Sequence, residues 1–89
     1  MDDYVSRIPQ ITKESLDRYA RGFPTGGFLK AVLENNLMEA MSSADASNRE
    51  ALYEIVMYVY NKMPMDCWGS PEKVKRWLKT KREEANGIQ

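Results

Sequence analysis

Histidine is absent from this 89-residue chain, and cysteine occurs once, as Cys67. The first absence removes the commonest general base and metal ligand, so Ser-His-Asp and Cys-His arrangements cannot be built within one chain type. The second excludes an internal disulfide, and with imidazole missing a zinc site would need more than one cysteine or an unusual all-carboxylate set. No run of alternating acids around a central glycine marks a calcium loop. Long apolar stretches are missing too. Nothing approaches about eighteen consecutive hydrophobic residues, and the chain opens on the acidic Met1-Asp2-Asp3, not on a basic leader. Neither a signal peptide nor a membrane span is expected, which leaves the cytosol as the default compartment. Net charge is lacking as well: thirteen bases balance thirteen acids, and the basic excess that favours nucleic-acid binding is gone. These absences together predict a protein that is not an enzyme and carries no metal or cofactor.

What is present is ordinary in bulk, with 43% hydrophobic and 29% charged residues. A chain of this length forms one domain and buries only about 60–65% of the surface its unfolded form exposes. Its core is therefore thin, and self-association into a homo-oligomer is expected to help it. Six Met, five Tyr and two Trp are more large apolar groups than such a core readily hides. The charge is uneven despite its zero sum. Residues 1–60 carry nine acids and six bases, whereas residues 61–89 carry four acids and seven bases.

The periodicities predict an all-α, single-domain compact bundle of four to five short helices over residues 11–84. Residues 1–10 form an N-terminal tail or docking strap, and residues 85–89 a C-terminal tail. Thr12 reads as an N-cap, with Ile11 and Leu16 at the positions of a hydrophobic staple. Leu16, Tyr19 and Ala20 make one apolar stripe, which Gly22 stops. Thr25 can cap a second helix running through Gly26 and Gly27, on which Leu29, Val32, Leu33, Leu37 and Met41 follow helical spacing. Asn35-Asn36 can break that helix, since Asn tolerates the left-handed conformation, so residues 25–42 are either one helix or two. Ser42 to Asp45 is the next loop. From about Ser47, Leu52, Ile55, Val56, Val59 and Met63 form one stripe and Tyr53, Met57 and Tyr60 a second beside it. Such a broad apolar surface predicts a central helix with neighbours on more than one side. Pro64 ends it. Ser70-Pro71-Glu72 combines an N-cap, a proline at the first helical position and an acid in the first turn, opening a last helix with Val74, Trp77 and Leu78 facing inward.

Few residues in this pattern suggest chemistry. Glu50 and Glu54 share a helical face but sit where solvated charges normally lie. Thr25, Gly26 and Gly27 form the nearest approach to a phosphate cradle, because free amides at a helix start attract anions. The alternative is a simple cap with a tight turn, and the full phosphate-loop spacing with its lysine is absent. Asn36 offers a hydrogen-bonding amide or a helix cap. Tyr60 and Trp68 are candidates for stacking on a base; Trp68, in a loop between two prolines, is either a plug over the core or an exposed contact. Lys73 and Arg76 belong to a basic set with Lys75, Lys79, Lys81 and Arg82, which is a solvated face or a patch for an anionic ligand or acidic partner. Cys67 reads as a small buried residue.

Several stretches carry a resemblance. They are Arg18-Tyr19, Gly26-Gly27-Phe28-Leu29-Lys30-Ala31-Val32-Leu33-Glu34-Asn35-Asn36-Leu37, Ala44-Asp45, Ile55-Val56 with Tyr58, Tyr60-Asn61, and Pro64 through Cys67-Trp68-Gly69-Ser70-Pro71-Glu72-Lys73-Val74 to Trp77. In these the chain resembles a family of small uncharacterised helical proteins of phages and prophages, over about residues 11–80. The resemblance implies an accessory protein acting inside a bacterial host. It carries no catalytic residues to transfer. Three functional expectations follow. The first is a non-enzymatic binder that modulates or inhibits a host factor, with anti-defence action one form of this. The second is a sponge for a nucleotide-like anion, using Thr25, Gly26 and Gly27 for phosphate, Tyr60 or Trp68 for the base, and Lys73 or Arg76 for charge. The third, a helix-turn-helix DNA regulator, fits the short helices and tight turns but lacks both a basic excess and a polar base-reading helix.

Overall fold

The computed structural model describes residues 4–87. Among them all regular structure is helical. Six α-helices follow one another: α1 (Gln10–Ala20), α2 (Gly27–Leu33), α3 (Leu37–Ser43), α4 (Ala46–Glu50), α5 (Leu52–Lys62) and α6 (Pro71–Ala85). Short 3-10 turns at Tyr4–Arg7 and Met65–Cys67 precede α1 and α6. None of the helices is long and apolar enough to cross a membrane, among the described residues.

Four of the six helices build the core. Leu16 and Tyr19 from α1, Leu29 and Leu33 from α2, Ile55 and Val59 from α5, and Val74 from α6 meet around Ile8, Ala51, Met63 and Cys67. α3 buries only Ala40, and α4 buries nothing. The two short helices are connectors that lie on the outside.

The count exceeds four to five because both long apolar segments are broken. Asn35 takes φ +63°, and Asn36 then caps α3 by accepting from the Glu39 amide at 3.2 Å. Residues 25–42 are thus two helices, and Ser42 and Ser43 belong to the second. Asp45 caps α4 through the Asn48 amide at 2.8 Å, and Ala51 forms the joint to α5.

Two expected caps are displaced. α1 starts from Pro9, so Thr12 lies within the helix and is buried. Its hydroxyl donates 2.6 Å to Asn48 Oδ1 and clips α1 to α4, while Ile11 points into water and makes no staple. α2 starts from Gly26, and the Thr25 hydroxyl is turned to the Gly26 carbonyl. The other stops and starts lie where the residues place them. Gly22, at φ +107°, donates its amide to the Tyr19 carbonyl and ends α1. Pro64 follows α5, and Ser70 accepts from the Lys73 amide at 3.2 Å to cap α6.

The central position expected for α5 is corrected. Ile55 and Val59 enter the core, but Tyr53, Val56 and Tyr60 face outward, as do Leu37, Met38 and Met41 on α3. Of the two expected tails, residues 1–3 and 88–89 lie outside the described residues. Residues 4–8 run along the bundle: the Tyr4 hydroxyl donates to the Met57 carbonyl at 3.4 Å and accepts from the Asn61 amide at 3.2 Å, and Ile8 is buried.

Candidate functional site

The candidate residues fall into separate places. Gly26 and Gly27 border a shallow depression of about 240 Å³ with Thr12, Ser43, Asp45 and Asn48. No cation lines it, and the Asp45 carboxylate would oppose a phosphate. The helix behind these amides spans only seven residues, which limits the dipole that could hold an anion. Neither glycine is conformationally required, since a Cβ at either would meet nothing within 4 Å. Thr25 sits just before the depression with its hydroxyl occupied locally. Asn36 is exposed and engaged as the cap of α3.

Tyr60 and Trp68 do come together. Their ring centroids are 5.8 Å apart at a tilt of 54°, within the geometry that aromatic edges and faces prefer. The Trp68 indole N–H donates to the Met63 carbonyl at 3.3 Å, and the ring packs half-buried against the core. Trp68 is thus a plug with one exposed flank, on which the exposed Tyr60 leans.

Lys73 and Arg76 belong to a cleft of about 480 Å³ along α6. Asp66, Lys73, Arg76, Trp77, Lys81 and Glu84 line it. The spacing explains the grouping: Lys73, Trp77 and Lys81 are successive turns of one helix flank, with Thr80 and Glu84 beside them. Trp77 is anchored to α1, its indole N–H donating to the Tyr19 carbonyl at 3.1 Å. Lys81 Nζ lies 4.6 Å from its ring centroid and 3.4 Å from Glu84 Oε1. Lys73 Nζ closes the preceding turn by donating to the Met65 carbonyl at 3.1 Å. Arg76 also borders a second groove of about 340 Å³ with Pro71, Glu72, Lys75 and Lys79. It is the hinge between cleft and outer face.

That outer face has a definite electrostatic character. α6 carries six bases and three acids. Among the described residues, only Lys81 of those bases is in an ion pair. Lys75, Arg76, Lys79 and Arg82 are exposed, and Glu72 and Glu83 on the same side stand outside ion-pairing distance. The sequence pattern marks this helix as basic, with Trp77 only as an inward residue. Its i, i+4 relation to Lys73 and Lys81 was the signal for the cleft.

Cys67 offers no reaction centre. It is fully buried, and burial pushes its thiol up to about 11, which leaves it protonated and a poor nucleophile near neutrality. Among the described residues no group of three or more His, Cys, Asp or Glu is placed to hold a metal ion. The chain matches no family model, no curated protein and no solved structure.

Proposed function

We propose that this chain is a non-enzymatic phage or prophage accessory protein that binds an acidic surface on a host protein through the outer face of α6, and modulates that protein. The observation that carries the reading is the set of exposed cations Lys75, Arg76, Lys79 and Arg82 on a well-capped helix, none of them ion-paired among the described residues. A cation already paired within its own chain contributes little to a partner. Unpaired ones raise the on-rate and select against like-charged surfaces. The phage setting rests on the resemblance over about residues 11–80.

The test is retention of host proteins by the immobilised full chain at low salt. One host protein should be held stoichiometrically, and Lys75→Glu/Arg76→Glu/Lys79→Glu should weaken it by about tenfold or more, as should raised salt. Equal retention by the variant overturns the reading. So does tight binding to random duplex DNA with the same salt dependence, which makes the face a phosphate reader. Turnover of a substrate, abolished by one side-chain change, ends the non-enzymatic part.

A second reading is favoured by the cleft itself. About 480 Å³ beside the Trp77 indole, with Lys73, Arg76 and Lys81 around it, is large enough for a small anionic ligand. Such a sponge would work from α6 alone, because Thr25, Gly26 and Gly27 lie outside this cleft. Mass spectrometry of material released by denaturing the purified protein checks it: a stoichiometric anion favours the sponge, and a clean result removes it.

A further inference from the structure

Among the described residues, α3 and α5 leave an apolar face without a partner. On α5, Tyr53, Val56 and Tyr60 follow each other at spacings of three and four and share one side of the helix. On α3, Leu37, Met38 and Met41 fall within an arc of about 100°. The two sets are joined: Leu37 and Val56 border one cleft, whose other walls include Val32, Ala40 and Leu52. At the far end Tyr60 leans on Trp68. Leu37, Met38, Tyr53 and Tyr60 are each 64–80% exposed, and Met41 and Val56 are 45% and 41% exposed.

Magnitude decides what this face is for. Those six side chains leave on the order of 700 Å² in water, scaling their exposure to the size of aromatic and large aliphatic groups. The largest apolar patch on a typical monomer is about 300–600 Å². Each half of a standard interface buries about 800 Å². The face therefore matches one side of a stable complex.

Charge decides what covers it. None of the six side chains is ionisable near neutral pH, so two identical copies can meet there without like-charge repulsion. A two-fold interface brings the same patch of both copies together, so a face of one charge sign meets its own sign; this disfavours the basic α6 face in this role and suits a neutral one. A small domain with four core-forming helices also gains more from a second copy than a large one does. We propose that the α3–α5 face is a homodimer interface, in which Leu37, Met41, Tyr53, Val56 and Tyr60 of one copy pack against the same face of another. This inference is independent of the α6 reading, because the residues lining the two surfaces do not overlap.

The experiment is sedimentation equilibrium on the full chain, from low micromolar to near-millimolar concentration. The expected mass is twice the 10.3 kDa of one chain. Leu37→Arg/Tyr53→Arg should weaken association by about a hundredfold or more, because the new charges become buried and unpaired. Both positions are exposed, so the variant should keep the helical circular dichroism of the parent. Lys75→Glu/Lys79→Glu on α6 should leave the dimer intact. A single chain at the highest concentration overturns the proposal. So does a dimer that survives Leu37→Arg/Tyr53→Arg, or growth to larger species, which a closed two-fold contact does not allow.

Discussion

Tyr19 and Cys67 form a buried polar contact in the bundle. Neither side chain is measurably open to water, and the Tyr19 hydroxyl donates 2.7 Å to the Cys67 carbonyl, tying α1 to the turn before α6. Burial disfavours the charged form of both groups and raises both pKa values, that of the thiol to about 11. The sign of the resulting pH dependence follows from linkage. Above the ordinary thiol value of 9.0 the unfolded chain releases its proton while the folded chain keeps it. The stabilisation is thus complete below pH 9 and declines by roughly 1.4 kcal/mol per pH unit as pH rises toward 11. Urea midpoints of the parent should fall over that window more steeply than those of Cys67→Ala, which lacks the thiol. The same thiol should resist alkylation at pH 8 until urea unfolds the chain. A different balance holds at the α1–α5 surface, where burial works to raise the Asp17 carboxyl. Hydrogen bonds from Tyr58 at 2.8 Å and Lys13 at 3.0 Å, with the charges of Lys13 and Arg21, outweigh it and hold Asp17 below its usual value.

At the scale of elements, two adjacent asparagines determine which side chains reach the core. Had residues 27–43 continued as one helix, Leu37 and Met41 would have extended the stripe begun by Leu29 and Leu33. The left-handed turn at Asn35 redirects α3 and leaves both residues outside. Removing the cap with Asn36→Ala should cost about 1 kcal/mol in urea unfolding. Asn35→Gly, which keeps the backbone turn available, should change stability by only a few tenths of a kcal/mol. Gly22 is more demanding. Its φ is +107°, and an added Cβ would come within 2.6 Å of Lys81 Cβ, so no side chain fits between α1 and α6. At α6, by contrast, the cap, the proline and the first-turn acid agree with each other and with the structure. Local signals of that kind do not depend on what packs nearby.

The whole molecule measures 42 × 30 × 20 Å and carries two surfaces of opposite kind, one basic on α6 and one apolar on α3 and α5. If both proposals hold, the dimer presents two basic faces at once. Leu37→Arg/Tyr53→Arg should then bind a densely coated acidic surface about a hundredfold more weakly than the parent. Its affinity for a single acidic partner in solution should stay unchanged. Surface plasmon resonance at high and low partner density checks both statements. Loss at both densities would mean that the apolar face itself contacts the host protein.

By itself the sequence determined the helical class, the stops at Gly22 and Pro64, the start at Ser70-Pro71-Glu72 and the inward placement of Leu16, Tyr19, Ile55, Val59 and Val74. Each follows from spacing or from backbone preferences that act over a few residues. Only the tertiary structure decided that Thr12 is a buried clip to Asn48, that Thr25, Gly26 and Gly27 lie away from Lys73 and Arg76, and that Tyr53, Val56 and Tyr60 face water. The physical reason is the same in each case. Periodicity tells which residues share a side of a helix, but whether that side meets another helix or solvent depends on the directions set by the breaks at Asn35 and Ala51.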